Sequence, residues 1–411
     1  MYKNRSNLQL KSIITEKAIF FIKRLKAFFL THEVKLSILL IITNVVSIIF
    51  VWLPFILGRP LLWFSYSNSD SLTFDMLYRY WDGPIYVVIA KTMYLIRPED
   101  NPYNHWPYYL SDKYYIGGFS GYPLFIRLFS FMGYYNSMLF VVVVFSSFDT
   151  VLFFKLIKDF NYVENPFYIA LLWIFLPPRW LLYHSVGTSE PTFLFFLMAS
   201  FYFYKRERYL LSGTSAAFAT ITRFVGIFLF LSFLILLIRT RQFKKLPYYF
   251  LIPIAMALHF LLYHFIFGDF FIYLNASPTP PHLPFPFIRQ SKNWLIYNYI
   301  QVKQGMQSYY RVRFHQGAEL RIVHFIIYGT SLYLLHRKGF TEISLYCLPF
   351  YFLYCYVGMD TMRYLLTVFP MLIPYEKFLS SKKFKMMLPL ILFGVYSYVW
   401  ICIPDNVASH L

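Results

Sequence analysis

The chain is poor in charge, in acids and in cysteine. Charged residues make up only 14% of its 411 positions, against roughly 25% in soluble domains. That excludes an ordinary soluble globular fold. Acids number 19 against 38 Lys and Arg. The three cysteines, Cys347, Cys355 and Cys402, lie in apolar runs and form no CxxC pair. A disulfide framework and a structural zinc site are excluded by that spacing. No His, Asp and Glu cluster has metal-ligand spacing either.

Hydrophobic residues are abundant, at 58%. Apolar runs long enough to cross a bilayer recur along the chain. The sequence predicts an all-α integral membrane bundle of about 11 transmembrane helices. They fall at 35–57, 135–157, 166–182, 190–204, 209–222, 224–238, 247–267, 319–336, 341–357, 361–377 and 385–403. The pair at 209–238 is short, and a broken pair reaching part-way is an alternative to two full crossings. Residues 1–34 form a basic amphipathic segment without an evident cleavable signal, suited to a cytoplasmic anionic lipid surface. Residues 35–403 form one transmembrane domain.

The N-terminal segment 1–36 and five short basic segments between these spans together hold more than half of the Lys and Arg. Placing them inside puts the N-terminus in the cytoplasm and the C-terminus outside. The charge of +19 is then a topology signal, and no nucleic-acid partner is needed. Six acids fall in one outer loop, 59–134: Asp70, Asp75, Asp82, Glu99, Asp100 and Asp112. Loops of that length are usually functional. Two stretches of it, Thr73–Ile96 and Tyr122–Phe131, are expected to be interfacial helices. A second outer loop, 268–318, carries the proline tract at 277–286 and ends with Arg311, Arg313 and His315.

The densest chemistry is in Thr73–Tyr94. On one continuous helix Asp75 and Asp82, seven residues apart, share a face. A carboxylate among rings such as Tyr78, Trp81 and Tyr86 can serve as a base with a raised pKa. The plainer alternative is an interfacial helix with its aromatics at headgroup level. Arg223, between the two short spans, either points into a cavity or snorkels to the outer surface. Ser189-Glu190-Pro191 also reads simply as a good helix start. Asp149, inside the second span, is expected to be neutral or bonded to Ser146 or Ser147. His184 is expected at the interface.

Several of these stretches resemble the multi-spanning mannosyltransferase family that includes the second GPI mannosyltransferase. They are Trp81-Asp82 with Tyr86, Ile89-Ala90 and Tyr94; Gly121-Tyr122-Pro123-Leu124; Gly187-Thr188-Ser189-Glu190-Pro191; Thr222-Arg223 with Gly226; Gly268-Asp269; and Arg363-Tyr364 with Phe369-Pro370. The segment Arg97–Gly121 is longer than in several relatives. The resemblance implies a GT-C glycosyltransferase, all-helical, with its active site on the outer or lumenal face. It implies a polyprenyl-phosphate-linked sugar donor, a glycolipid or glycan acceptor, and a bacterial or archaeal cell membrane, or the endoplasmic reticulum in a eukaryote. Asp82 is then the expected base, with Asp75 its alternate or partner. Arg223 and Arg363 are the expected phosphate ligands, with Arg79 third. Trp81 and Tyr86 are expected to stack on a sugar, and Glu190 joins the substrate-binding set. No cofactor is required, although some related folds use a divalent ion. The rivals are a transporter or flippase of a lipid-linked or small polar substrate, a scaffold, and a lipid-linked glycan polymerase or ligase.

Overall fold

The computed structural model describes residues 31–61, 72–96, 112–276, 318–353, 366 and 368–405. These are helical, without strands. The basic segment up to residue 30, most of the second outer loop and Arg363 lie outside the described residues.

The main helices are α1 (His32–Leu57), α2 (Asp75–Tyr78), α3 (Gly83–Thr92), α4 (Gly121–Leu128), α5 (Tyr134–Asp159), α6 (Pro166–Phe175) and α7 (Pro178–Tyr183). They continue as α8 (Glu190–Lys205), α9 (Tyr209–Thr222), α10 (Phe228–Thr240), α11 (Leu251–Phe267), α12 (Ala318–Arg337), α13 (Thr341–Leu353) and α14 (Lys382–Asp405). Among the described residues, four segments are long and apolar enough to cross a membrane: His32–Leu57, Tyr134–Asp159, Phe243–Phe267 and Lys382–Pro404. Glycine ends two of them. Gly58 and Gly268 adopt left-handed backbone and return their N–H groups to Pro54 and His264, closing the last turn.

Apart from α12, which has 20 residues, the remaining helices are shorter than a span, and prolines and turns explain why. The apolar run 166–182 is not one helix: it stops at Phe175 and restarts at Pro178. Pro177 and Pro178 carry no N–H, so they cannot continue the ladder. The pair at 209–238 splays. The chain is extended at Arg223 (φ −149°, ψ 138°) and makes a 3-10 turn at Phe224–Ile227 before α10. Helix α9 packs on α8 and α11, whereas α10 packs on α13. The expected span at 361–377 is described only in part, and that part is the 3-10 segment Phe369–Tyr375.

The outer-loop stretch 73–94 is not one helix. Helix α2 ends at Tyr78, the chain turns through Trp81 at φ 43°, and α3 begins at Gly83. The shared face of Asp75 and Asp82 is lost with the helix that would have carried it. Nor does α3 lie on the interface. Residues Gly83–Ala90 are buried, packed against α4 and α5. Helix α4 is the amphipathic one, burying Tyr122 and Ile126 while exposing Leu124 and Leu128.

Candidate functional site

Four chain segments converge where α3 starts and α9 ends. Asp82 immediately precedes α3, and its carbonyl accepts the Tyr86 N–H at 3.2 Å. Beside it Trp81 is held at positive φ, a conformation that costs a bulky residue on the order of 1–3 kcal/mol. Such strain persists only where the surroundings fix it.

The second segment is the turn after the 3-10 helix Asp112–Gly117. Tyr94 Oη donates to the Gly118 carbonyl (2.6 Å) and Tyr263 Oη to the Ile116 carbonyl (2.7 Å). These two buried hydroxyls fix the turn that presents Phe119. The third segment is the reversal Thr222–Val225. Gly121 lets α4 approach it: a Cβ at that position would stand 2.3 Å from Thr222 Oγ1. The fourth is the short helix Ile272–Ala276, which brings in Tyr273.

Together Asp82, Tyr86, Gly117, Phe119, Thr222, Arg223, Phe224, Val225 and Tyr273 line a partly open cavity of about 120 Å³. Tyr273 lies 5.0 Å edge-on to Phe119 and 4.9 Å from Phe224. Phe119 is in turn stacked on His259 at 4.4 Å, whose Nδ1 pairs with Ser120 Oγ at 3.1 Å. One wall is thus aromatic, and the rest holds a carboxylate and a guanidinium.

The charged wall is organised by the loop before α8. Trp52 Nε1 donates to the Ser185 carbonyl (2.6 Å) and Thr188 Oγ1 to the Tyr183 carbonyl (2.5 Å). Gly187 sits where a Cβ would collide with Met138. So held, Ser189 Oγ meets the Tyr86 hydroxyl at 3.0 Å and accepts from Arg223 Nη1 at 3.3 Å. Arg223 Nη1 also donates to Glu190 Oε1 at 2.5 Å. The side chains of this pair are 12% and 3% exposed. Arg223 therefore does not snorkel; it points inward and is neutralised by Glu190. Behind Tyr86 lies Tyr122, 5.0 Å edge-on. Burial, with the nearby Glu190 carboxylate adding to it, pushes the Tyr122 phenol well above its ordinary range, so it stays a donor, to the Met138 carbonyl at 2.9 Å.

Of the residues singled out from the sequence, Asp82, Tyr86 and Arg223 meet in the cavity, and Glu190 joins through Arg223. Asp75 and Arg79 pair with each other on an exposed turn and do not line the cavity. Trp81 does not line it either. Arg363 is outside the described residues. His184 is fully buried, edge-on to Trp180 at 4.8 Å, and not interfacial. Sequence reasoning missed Phe119, Phe224 and Tyr273. The glycine turn before Phe119 and the Gly268-Asp269 turn before Tyr273 were the available signals. Among the described residues, no cluster of His, Cys, Asp and Glu is arranged to hold a metal ion. No family model matches the chain, and no curated protein does.

Proposed function

We propose that the chain is a membrane glycosyltransferase of GT-C type, moving a hexose, mannose by resemblance, from a polyprenyl phosphate to a glycolipid or glycan acceptor. One observation carries this reading: a carboxylate, Asp82, and a guanidinium, Arg223, face the same aromatic-walled cavity. Glycosyl transfer from a lipid phosphate needs that combination. The Asp82 carboxylate takes the acceptor hydroxyl proton. The acceptor oxygen forms its bond to the anomeric carbon as the bond from that carbon to phosphate oxygen breaks. The polyprenyl phosphate leaves as a phosphomonoester, and its growing charge is met by a fixed cation.

Arg223 is held by Glu190, yet a guanidinium carries five donors in a fork. It can bind a carboxylate through one edge and a phosphate through another. Glu190 and Ser189 thus position Arg223 rather than touch the sugar. Phe119, Phe224 and Tyr273 supply the ring surface that the sequence assigned to Trp81. The cavity is smaller than the roughly 300–1,000 Å³ of a small-molecule pocket, which suits the reacting end of a lipid-linked sugar whose tail stays in the bilayer.

The experiment is to incubate membranes containing the protein with labelled polyprenyl-phosphate hexoses and identify the product. Label transferred to a glycan or glycolipid supports the reading. Label retained on the polyprenyl phosphate across the panel, with properly inserted protein, contradicts it.

A further inference from the structure

Helix α11 turns one stripe inward. Ile252, Met256, His259 and Tyr263 are buried, at the alternating spacing of an amphipathic helix. Leu258, Leu261 and Phe265 are exposed. His259 is thus an ionisable side chain inside an apolar segment long enough to cross a membrane, and it is 4% exposed. Such residues are rare at that depth and call for a named partner. Asp149 and His184 have none: the expected bond from Asp149 to Ser146 or Ser147 is not made, and no polar atom of either side chain has a hydrogen-bond partner among the described residues. His259 differs. Its Nε2 is likewise without a partner among the described residues, but its Nδ1 pairs with Ser120 Oγ at 3.1 Å. An apolar residue at this position would avoid the desolvation of an imidazole, so the bond to Ser120 asks for a use.

That use lies in the turn before α4. The imidazole holds two consecutive residues, Ser120 by its edge and Phe119 by its face. Phe119 stacks on it at 4.4 Å, with 24° between the ring planes. Of the four rings described around Phe119, only His259 stacks; Phe224, Tyr263 and Tyr273 meet Phe119 edge-on. One turn along α11, Tyr263 Oη donates to the Ile116 carbonyl. The inward stripe of α11 therefore grips this turn at three points. On the far side, Gly121 abuts Thr222. Phe119, held between these two clamps, lines the cavity, whereas His259 does not. Whatever His259 does to a ligand, it does through Phe119.

We propose that His259 is a positioning residue, whose bond to Ser120 and stack on Phe119 fix the ring on which the transferred hexose rests. The identity of that ligand rests on the glycosyltransferase reading; the clamp does not. A surface that holds the sugar equally before and during transfer contributes to KM and leaves kcat alone.

The test is donor kinetics of two single variants and their combination. His259→Phe keeps a ring and removes the bond; Ser120→Ala removes the same bond from the other side. Each should raise KM for the polyprenyl-phosphate hexose by ~3–10-fold, the loss of one neutral hydrogen bond, with kcat within about twofold. The double variant should be no worse than either single one, because both break one bond. A merely structural role would lower the active fraction, so that apparent kcat falls and KM stays. Unchanged KM in both single variants, or effects that add in the double one, would overturn the proposal. If the unsubstituted protein transfers no hexose, the glycosyltransferase reading fails, and hydrogen exchange decides on the clamp. The amides of 118–121 should then exchange faster in His259→Phe while those of α11 do not change; equal exchange at 118–121 removes the clamp as well.

Discussion

Two ends of the bundle use the same chemistry for different ends. At one end Glu33 on α1 pairs with Lys155 and Lys158 on α5, Asp159 with Arg206, and Lys205 with Glu342. At the other, Arg223 pairs with Glu190. In the first group each pair has at least one partner open to solvent: Lys158 and Glu33 are each 37% exposed, and Arg206, the partner of the more buried Asp159, is 49% exposed. The second is sealed and borders a cavity. Exposed pairs of this kind contribute little and are screened by salt. A buried pair costs much desolvation to form and more to break, so its presence beside a cavity calls for a reason other than stability. Holding a guanidinium in one orientation is such a reason.

The comparison breaks first on topology, where the effect is all or none. The basic segments motivate an inside location for the Lys158–Glu33 end and an outside location for Asp82. A reporter active only outside the cytoplasm should work when fused after Leu411 and fail when fused after Lys245. The reverse pattern would put Asp82 in the cytoplasm and remove the lipid-phosphate donor from the scheme.

Next in size is the sealed pair. Arg223→Ala leaves Glu190 buried without its partner and should cost about 3–5 kcal/mol of stability. Replacing both, as Arg223→Met with Glu190→Leu, should restore much of that, because matched apolar groups need no desolvation. Transfer activity should not return with stability. Thermal unfolding and turnover measured on the same preparations separate the two roles: activity that recovers along with stability would make the pair purely structural.

Gly121→Ala tests the seating of α4. The new methyl group meets the Thr222 backbone and hydroxyl at under 3 Å, and overpacking of this kind costs roughly 1–3 kcal/mol. Because Thr222 lines the cavity, turnover should fall as well. A fully active, fully stable Gly121→Ala protein would show that the contact between α4 and the Thr222 reversal is not needed.

The smallest effect belongs to the open end. Lys158→Ala should change stability by about 0–1 kcal/mol, less at high salt. A loss as large as that of Arg223→Ala would erase the contrast between the two ends.

The sequence made some of this legible and hid the rest for local reasons. Composition and apolar run length identified a helical membrane chain, because a bilayer demands both. Run length did not reveal where helices stop. The stretch 166–182 is apolar throughout, and only Pro177-Pro178 marks its break. The spacing of Asp75 and Asp82 implied a shared face only if the helix between them was unbroken, and the turn at Trp81 breaks it. Asp82, Tyr86 and Arg223, which line one cavity, stood out in the sequence because Trp-Asp and Thr-Arg are conspicuous pairs in an apolar chain. Phe119, Phe224 and Tyr273 were not, because single aromatics carry no signal in a chain with 48 Phe and 38 Tyr.

The most direct test of the central claim is Asp82→Asn, assayed for sugar transfer and donor binding in the same membranes. The substitution preserves shape and removes basicity. Insertion and donor binding should survive, because the arginine wall is intact. Turnover should fall by at least ~10²-fold, the low end of general-base catalysis. Near-normal transfer by Asp82→Asn would contradict the account and leave Asp82 as a residue that only starts a helix.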